Sequence, residues 1–492
     1  AIGYEAMATD TAGGTYNIAV GNYALDALTS GDYNVVVGGG AGTAINTGSD
    51  NTIYGYLAGN ALTSGADNVA IGSTSLYTAT TTSGNTAVGS NALKLTTGDS
   101  NTAIGRQAME DNSTGSNNVA VGMEAMLQNT TGVDNTAIGY GSLENNTTGT
   151  SNVAIGRDAL EATTGNANVG VGYQAGKANT SGQIIAIGYQ AMQSNTTGTR
   201  NIAIGGNAYD SSDTESDNLA IGHNAMTANT SGGNYNVAIG NYTMDVLTSG
   251  DQNTGVGYQA MSAMTEAGNC TAVGNWAGVD ITTGESNTVV GSFSGQQITD
   301  GQENTSLGRS SGTNITTGDY NLSLGALTRP SIAAAQSRIV LGYNLSNPTD
   351  NSIRMGSGGN YITNTFTSNA NWAHSSDERL KENIEEDSLG LSFINDLRPV
   401  TFNWKKQKDI PNELKTEGTI IEKDTTTKMH GMIAQDVKSA LDTAGATTFS
   451  GWKEDDGDGT QLISESMFIY PLINAIQELS AKNDSLETSN QA

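Results

Sequence analysis

The sequence predicts a mainly β protein: an elongated, trimeric β-solenoid or β-roll rod of about twenty 17-residue coils, then a small α+β domain ending in a coiled-coil helix. Three observations carry that expectation. Twenty-two glycines recur at a nearly fixed step, from Gly3, Gly21, Gly38 and Gly55 to Gly342 and Gly356, and fifteen of the twenty-one steps are 17 residues long. An asparagine stands four positions before seventeen of those glycines, from Asn17 and Asn34 to Asn304 and Asn321. Beyond residue 375 the period is gone and an ordinary charged composition replaces it.

Each repeat runs approximately Asn-Thr/Val-Ala-Ile/Val-Gly-x-x-Ala-Leu/Met, then a polar stretch, then Thr-Thr/Ser-Gly. A short β-branched run closed by Gly predicts a strand, and 17 residues leave room for two or three short strands with their corners. One repeat is therefore one coil. Coils stacked about 4.8 Å apart make a rod roughly 100 Å long. Stacking aligns the asparagines into an amide ladder. The third residue after each Gly is small (Ala24, Ala41, Ala58, Ser75, Ala92), as an inward position in so thin a coil requires. Gly at the corners supplies positive φ without steric cost.

Such a coil is too thin to bury a core of its own. Stacking covers its two faces, but an apolar edge remains that must meet another chain or stay in water, and from this a homo-oligomer is expected. All five prolines (Pro330, Pro348, Pro399, Pro411 and Pro471) lie beyond residue 329, which suits a hydrogen-bonded ladder before it. The rod is predicted over residues 1–356, a Ser/Asn-rich transition segment over 357–375, and a distinct domain over 376–492 with a terminal helix at about 467–488.

Composition bounds the function. The net charge is −28, with 9 Lys/Arg in residues 1–374 and 12 in the last 118, which argues against nucleic acid and against an anionic membrane as partners. The single cysteine, Cys270, excludes a disulfide within the chain and occupies a ladder position, where a small buried residue is expected. No apolar run reaches membrane-spanning length, and no secretory signal opens the sequence. The chain starts inside a repeat, at Ala1-Ile2-Gly3, so an upstream segment carrying an anchor is expected. Asn-x-Thr triplets such as Asn129-Thr130-Thr131 and Asn195-Thr196-Thr197 fall on the repeat's turn and are read as turn chemistry rather than glycan acceptors. The acidic run Glu454-Asp455-Asp456-Gly457-Asp458-Gly459 lacks the central Gly and closing Glu of a calcium loop and is read as a solvated turn. No metal and no cofactor are expected.

Near residue 375 the text changes abruptly. Ser375 and Glu378 have the spacing of a capping box, which predicts a helix start. Ser376-Asp377-Glu378-Arg379-Leu380-Lys381-Glu382-Asn383-Ile384 is followed by Phe393-Ile394-Asn395-Asp396-Leu397-Arg398-Pro399-Val400-Thr401-Phe402-Asn403-Trp404, by Gly431-Met432-Ile433-Ala434-Gln435-Asp436-Val437, and by Tyr470-Pro471-Leu472-Ile473-Asn474-Ala475-Ile476-Gln477-Glu478-Leu479. These four ordered blocks closely resemble the endosialidase-type intramolecular chaperone domain found at the C-terminus of phage tail fibres and tailspikes. The resemblance implies a domain that promotes trimerisation and then cuts itself off as a serine peptidase at the Ser375–Ser376 bond. Carried over by position, Ser376 is the nucleophile and Lys381 the base. A serine hydroxyl needs a proton acceptor, and a lysine serves when desolvation or a nearby positive charge favours its neutral form. Arg379 is close enough in sequence to contribute. Five residues apart on a regular helix, Ser376 and Lys381 would point to different sides, so the segment must begin non-helical. His430 is a candidate accessory residue, whereas His374 is read as part of the linker. Residues 406–428 are polar and predict an exposed loop.

In the tail, Leu472, Ile476, Leu479, Asn483 and Leu486 recur at 4-3-4-3 spacing, a short heptad seam with one polar position. The rod motif Asn-x-Ala-Ile-Gly-x-x-Ala looks like the head repeats of trimeric autotransporter adhesins. Together these readings point to a homotrimeric fibre, a phage tail fibre on the virion that contacts a host surface glycan or protein and joins baseplate or tail proteins through an N-terminal region. The alternative is a bacterial surface adhesin using the same module. A glycan-degrading tailspike ranks last, because Asp and Glu share no repeat position. Among rod residues, Tyr33, Tyr54, Tyr209, Tyr235, Trp276 and Tyr320 are the expected receptor contacts, since aromatic faces suit sugar rings.

Overall fold

The computed structural model describes all residues except 10–12, 230–231, 367–372, 375, 407–408, 410–425, 456–458 and 492, and divides into two units, Ala1–Ser375 and Ser376–Ala492. The expected loop over 406–428 and the acidic turn at 454–459 fall largely or partly outside the described residues.

The first unit is a solenoid. Strands β1 (Ile18–Val20) to β19 (Leu322–Leu324) are three residues each, one per coil, and pair in parallel from coil to coil. Equivalent positions face each other, Ile18 opposite Val35 and Ala19 opposite Val36. The middle residue of each strand points into the coil and is buried, as Ala70, Ala87 and Ala103 are. The sequence left room for two or three strands per coil, and among the described residues each of these coils carries one. The anchor glycine ends the strand in a conformation that L-residues avoid (φ 137° at Gly21), and the residues two and four further on, Tyr23 and Leu25, are left-handed at φ 60° and 54°. That alternation curls the chain while keeping its amides along the axis. Tyr23 N–H donates to the preceding coil at Tyr4 O (2.8 Å), and Leu25 N–H to the following coil at Ala41 O (3.1 Å). The coils also stack too closely for a side chain at the anchor, since a Cβ on Gly21 would stand 2.4 Å from Gly38 O.

The core is filled from two positions. Most coils place Leu or Met four residues after the anchor (Leu76, Leu93, Met109, Met126), all fully buried. At Gly42, Gly278 and Gly295 an isoleucine three residues later is buried instead, Ile45, Ile281 and Ile298, and at Gly59 it is Leu62. At Gly42 the isoleucine takes the space a side chain would need, since a Cβ there would meet Ile45 Cδ1 at 2.9 Å, whereas other coils bury both positions, as Leu25 with Leu28 and Met244 with Leu247.

The asparagine ladder forms as expected. Asn51 donates its backbone N–H and its Nδ2 to Asn34 Oδ1 at 3.2 and 3.0 Å, and its Nδ2 also reaches Gly65 O one coil on at 3.0 Å. A second ladder, absent from the sequence reading, runs through the turn asparagines, where Asn129 Nδ2 donates to Asn112 Oδ1 and Asn146 Nδ2 to Asn129 Oδ1 at 2.6 and 3.1 Å. Asn129 and Asn195 are completely buried, so these triplets are turn chemistry and their amides are closed to glycosylation in the folded coil.

The asparagine ladder ends at Arg338, which takes the next ladder position and donates its N–H to Asn321 Oδ1 at 3.0 Å. It is buried, with Nε donating to Asp350 Oδ1 at 2.6 Å and Nη1 to Asn347 O at 2.9 Å. Beyond the short pair β20 (Arg329–Pro330) and β22 (Ser346–Asn347), β21 (Arg338–Tyr343) and β23 (Ser352–Ser357) continue the parallel sheet. Then β24 (Asn360–Thr365) pairs antiparallel with β23, and β25 (Ala373–His374) with β24. Residues 357–375, read as a transition segment, thus include the strands that close the sheet.

The second unit is small and α+β. Helices α1 (Leu391–Asp396), α2 (Ala434–Thr443) and α3 (Ile469–Gln491) accompany two antiparallel pairs, β26 (Val400–Phe402) with β27 (Met429–Gly431) and β28 (Trp452–Glu454) with β29 (Gln461–Ile463). Its core gathers Leu389, Phe393, Val437, Leu441 and Phe468. Phe393 stacks on Phe468 with centroids 6.3 Å apart, and Phe449 meets both rings edge-on.

Candidate functional site

Ser376 and Lys381 meet. Ser376 lies outside any helix or strand, Asp377 is extended (φ −65°, ψ 132°), Glu378–Leu380 make a single 3₁₀ turn, and Lys381 leaves that turn in an extended conformation (φ −123°, ψ 146°). Three residues per turn bring the lysine side chain back over the start of the segment, which an α-helix would not do. Lys381 Nζ donates to Ser376 Oγ at 2.7 Å. The contact lies within the reach needed to hand the hydroxyl proton to the amine once the amine is neutral. The cap of the turn is Asp377, whose Oδ1 accepts from Arg379 N–H at 3.0 Å, rather than the Ser375/Glu378 box suggested by spacing. Ser375, on the other side of the expected scissile bond, lies outside the described residues.

Arg379 pairs with Asp377. Its Nε and Nη2 donate to the two carboxylate oxygens of Asp377 at 2.9 and 2.6 Å. Its side-chain hydrogen bonds hold the Asp377 carboxyl below the usual carboxylate range, and the arginine charge is balanced there. His430 lies on β27 opposite Thr401 of β26, and among the described residues no hydrogen bond joins it to Ser376 or Lys381. The whole stretch from Ser376 to Ser388 is exposed in the single chain.

The aromatic candidates divide. Tyr33, Tyr54, Tyr235 and Tyr320 are more than half exposed. The ring of Tyr33 is stacked on Tyr16 at 5.0 Å, and half-buried Trp276 packs against Phe293 at 5.7 Å. Tyr209 is a correction. It sits four residues after Gly205, the inward Leu/Met position, and is fully buried, its hydroxyl accepting from Asn218 Nδ2 (2.6 Å) and Asn229 Nδ2 (3.1 Å). It therefore cannot touch a receptor.

Two features of the second unit escaped the sequence reading. Asn474 and Glu478, both on α3, hold the segment that follows Lys381 through contacts 85 and 87 residues apart in sequence. Only the wide chain separation hid them, since each lies inside one of the recognised blocks.

With this geometry in place, residues 376–446 match the model of a protein family described as chaperone of endosialidase. The match begins at Ser376, the first residue of the second structural unit. No curated protein matches the chain. A solenoid of about twenty coils carrying an endosialidase-type chaperone domain at its C-terminus fits a structural fibre or tailspike-like protein.

Proposed function

We propose that this chain is the subunit of a homotrimeric phage tail fibre that attaches to a host surface, and that its C-terminal chaperone cuts itself away at the Ser375–Ser376 bond. The observation that carries the cutting step is the 2.7 Å contact between Lys381 Nζ and Ser376 Oγ at the first turn of the matched domain. Ser376 Oγ gives its proton to the neutral lysine amine and attacks the carbonyl carbon of Ser375. The Ser375–Ser376 C–N bond breaks, the departing Ser376 nitrogen takes the proton, and water hydrolyses the resulting ester to a Ser375 carboxylate and a free Ser376 hydroxyl. The nucleophile and its target are joined by the chain, so one turnover needs no substrate binding.

Two unpartnered surfaces support trimerisation with copies of the same chain. Along the solenoid, the outward strand residues form an apolar row that includes Ile104, Ile138, Ile155 and Ile187, each 36–41% exposed. On α3, Leu472, Ile476, Leu479 and Leu486 are exposed at heptad spacing. Host attachment belongs to the rod, because a chaperone that is cut away supplies no lasting adhesion.

Intact mass of the expressed protein is the test. The expected products are fragments of 375 and 117 residues, the second starting at Ser376. Ser376→Ala and Lys381→Ala should each leave the chain whole while trimers still form. Cutting of Ser376→Ala at the same bond would falsify the dyad.

A further inference from the structure

We infer that Asn474 and Glu478 of α3 are positioning residues for self-cleavage, holding the strap that runs from the Ser376–Lys381 pair into the domain core. The inference rests on the reading of that pair as the cutting dyad.

The strap, residues 381–390, has no helix or strand of its own, and it is exposed through Ser388. Its first fixed points come from α3. Asn474 Nδ2 donates to two strap carbonyls, Asp387 O at 3.0 Å and Leu389 O at 3.1 Å. Glu478 Oε2 accepts from Leu391 N–H at 3.2 Å, at the start of α1. The residue before α1 is Gly390, which has no side chain to cap the helix, so the glutamate takes over that role from another element. Space confirms the design, because a Cβ on Gly390 would stand 1.8 Å from Glu478 Oε1. The buried Leu389 side chain completes the anchor.

Asn474 and Glu478 are four residues apart and so share one face of the helix. Residues at the heptad positions Leu472, Ile476 and Leu479 stay exposed. One helix thus presents a row for pairing with other copies and grips the strap with intervening residues. With the grip lost, Lys381 hangs from a longer free tether and meets Ser376 in the productive geometry less often.

The test uses the full chain and follows the appearance of the 117-residue fragment by intact mass, with trimer content measured by light scattering. Asn474→Asp keeps the shape but removes the donor, and Glu478→Ala removes the acceptor. Both should cut on the order of tenfold to a hundredfold more slowly with trimer content unchanged. Glu478→Gln retains an oxygen for Leu391 N–H and should restore cutting to the parental rate. If Asn474→Asp and Glu478→Ala cut at the parental rate while Ser376→Ala stays whole, the positioning role is wrong and the dyad stands. Loss of trimer in step with loss of cutting would make the contacts merely structural and would also overturn the inference. Cutting by Ser376→Ala, in contrast, would remove the dyad itself.

Discussion

A single ladder asparagine binds in both directions. Asn118 N–H donates to Asn101 Oδ1 of the preceding coil at 3.0 Å, while its Oδ1 accepts Asn135 N–H at 3.0 Å and its Nδ2 donates to Gly132 O at 2.8 Å in the following coil, all out of contact with water. Cys270 stands in the same column and keeps only part of this. Its own N–H still donates to Asn253 Oδ1 at 2.9 Å and its thiol reaches Gly284 O at 3.3 Å, but it offers no amide oxygen to the next coil. Burial pushes the thiol up, so it stays neutral and unreactive. Cys270→Asn should therefore stabilise the rod by about 1 kcal/mol, one net buried hydrogen bond, read as slower amide exchange at Asn287 and a higher melting temperature. Destabilisation instead would mean that the ladder tolerates no amide at this coil. The ladder could be read from the sequence because one residue type recurs at one offset. The Tyr209 position could not, because an aromatic in a polar stretch looks like surface until the inward column is known.

At the scale of the element, the coil was half visible. The strand, the anchor glycine and the small inward residue follow from composition. The left-handed residues two and four after the glycine do not, since beside Gly and Asn they include many residues such as Leu, Met, Gln and Tyr, which carry no turn signature and are held there by axial hydrogen bonds. The stacking of like positions also concentrates acids. Burial first, and then the charges of Glu161, Glu124 and Asp158, raise the Glu144 carboxyl above its ordinary value of 4.5, with Lys177 opposing. Asp210, Asp245 and Asp280 are raised by burial. A raised folded-state value means that the fold favours the protonated acid. Stability is therefore lower at neutrality and is gained as pH falls through the raised value, fully so below 4.5. Asp32 and Asp350 act oppositely: backbone hydrogen bonds first, then side-chain ones, depress them, and their contribution is lost as pH falls below 3.8. The melting temperature of the rod should rise from neutrality towards 4.5 and fall again below 3.8. Glu144→Gln should melt above the parent at neutral pH and show a smaller acid-side rise. An unchanged pH profile in that variant would show that net charge alone, not this column, sets the response.

Across the whole molecule, uniformity creates the problem that a chaperone domain would solve. Like positions pair from β1 to β19, so a slip by one coil between chains puts Asn beside Asn and Gly beside Gly again. Only the irregular coils penalise it: the 16-residue steps before Gly105, Gly172 and Gly188, the 18-residue steps before Gly21 and Gly240, and exceptions such as Ile184, Tyr209 and Cys270. These marks are sparse, and in the proposed trimer contacts between chains would be non-local, so the correct register would be found slowly if nothing aligned the ends. Once formed, the rod is held by axial hydrogen bonds along its length and should persist kinetically. Deleting residues 376–492 from the gene should therefore sharply lower the yield of detergent-resistant trimer, whereas removing the same residues by self-cleavage after assembly should leave it intact. Restoring register by other means should rescue the truncated chain: replacing residues 376–492 with an unrelated trimeric coiled coil should recover part of the native trimer without any cutting. Equal yields from the truncated and full chains would mean that the irregular coils alone specify register, and that the chaperone unit serves some other end.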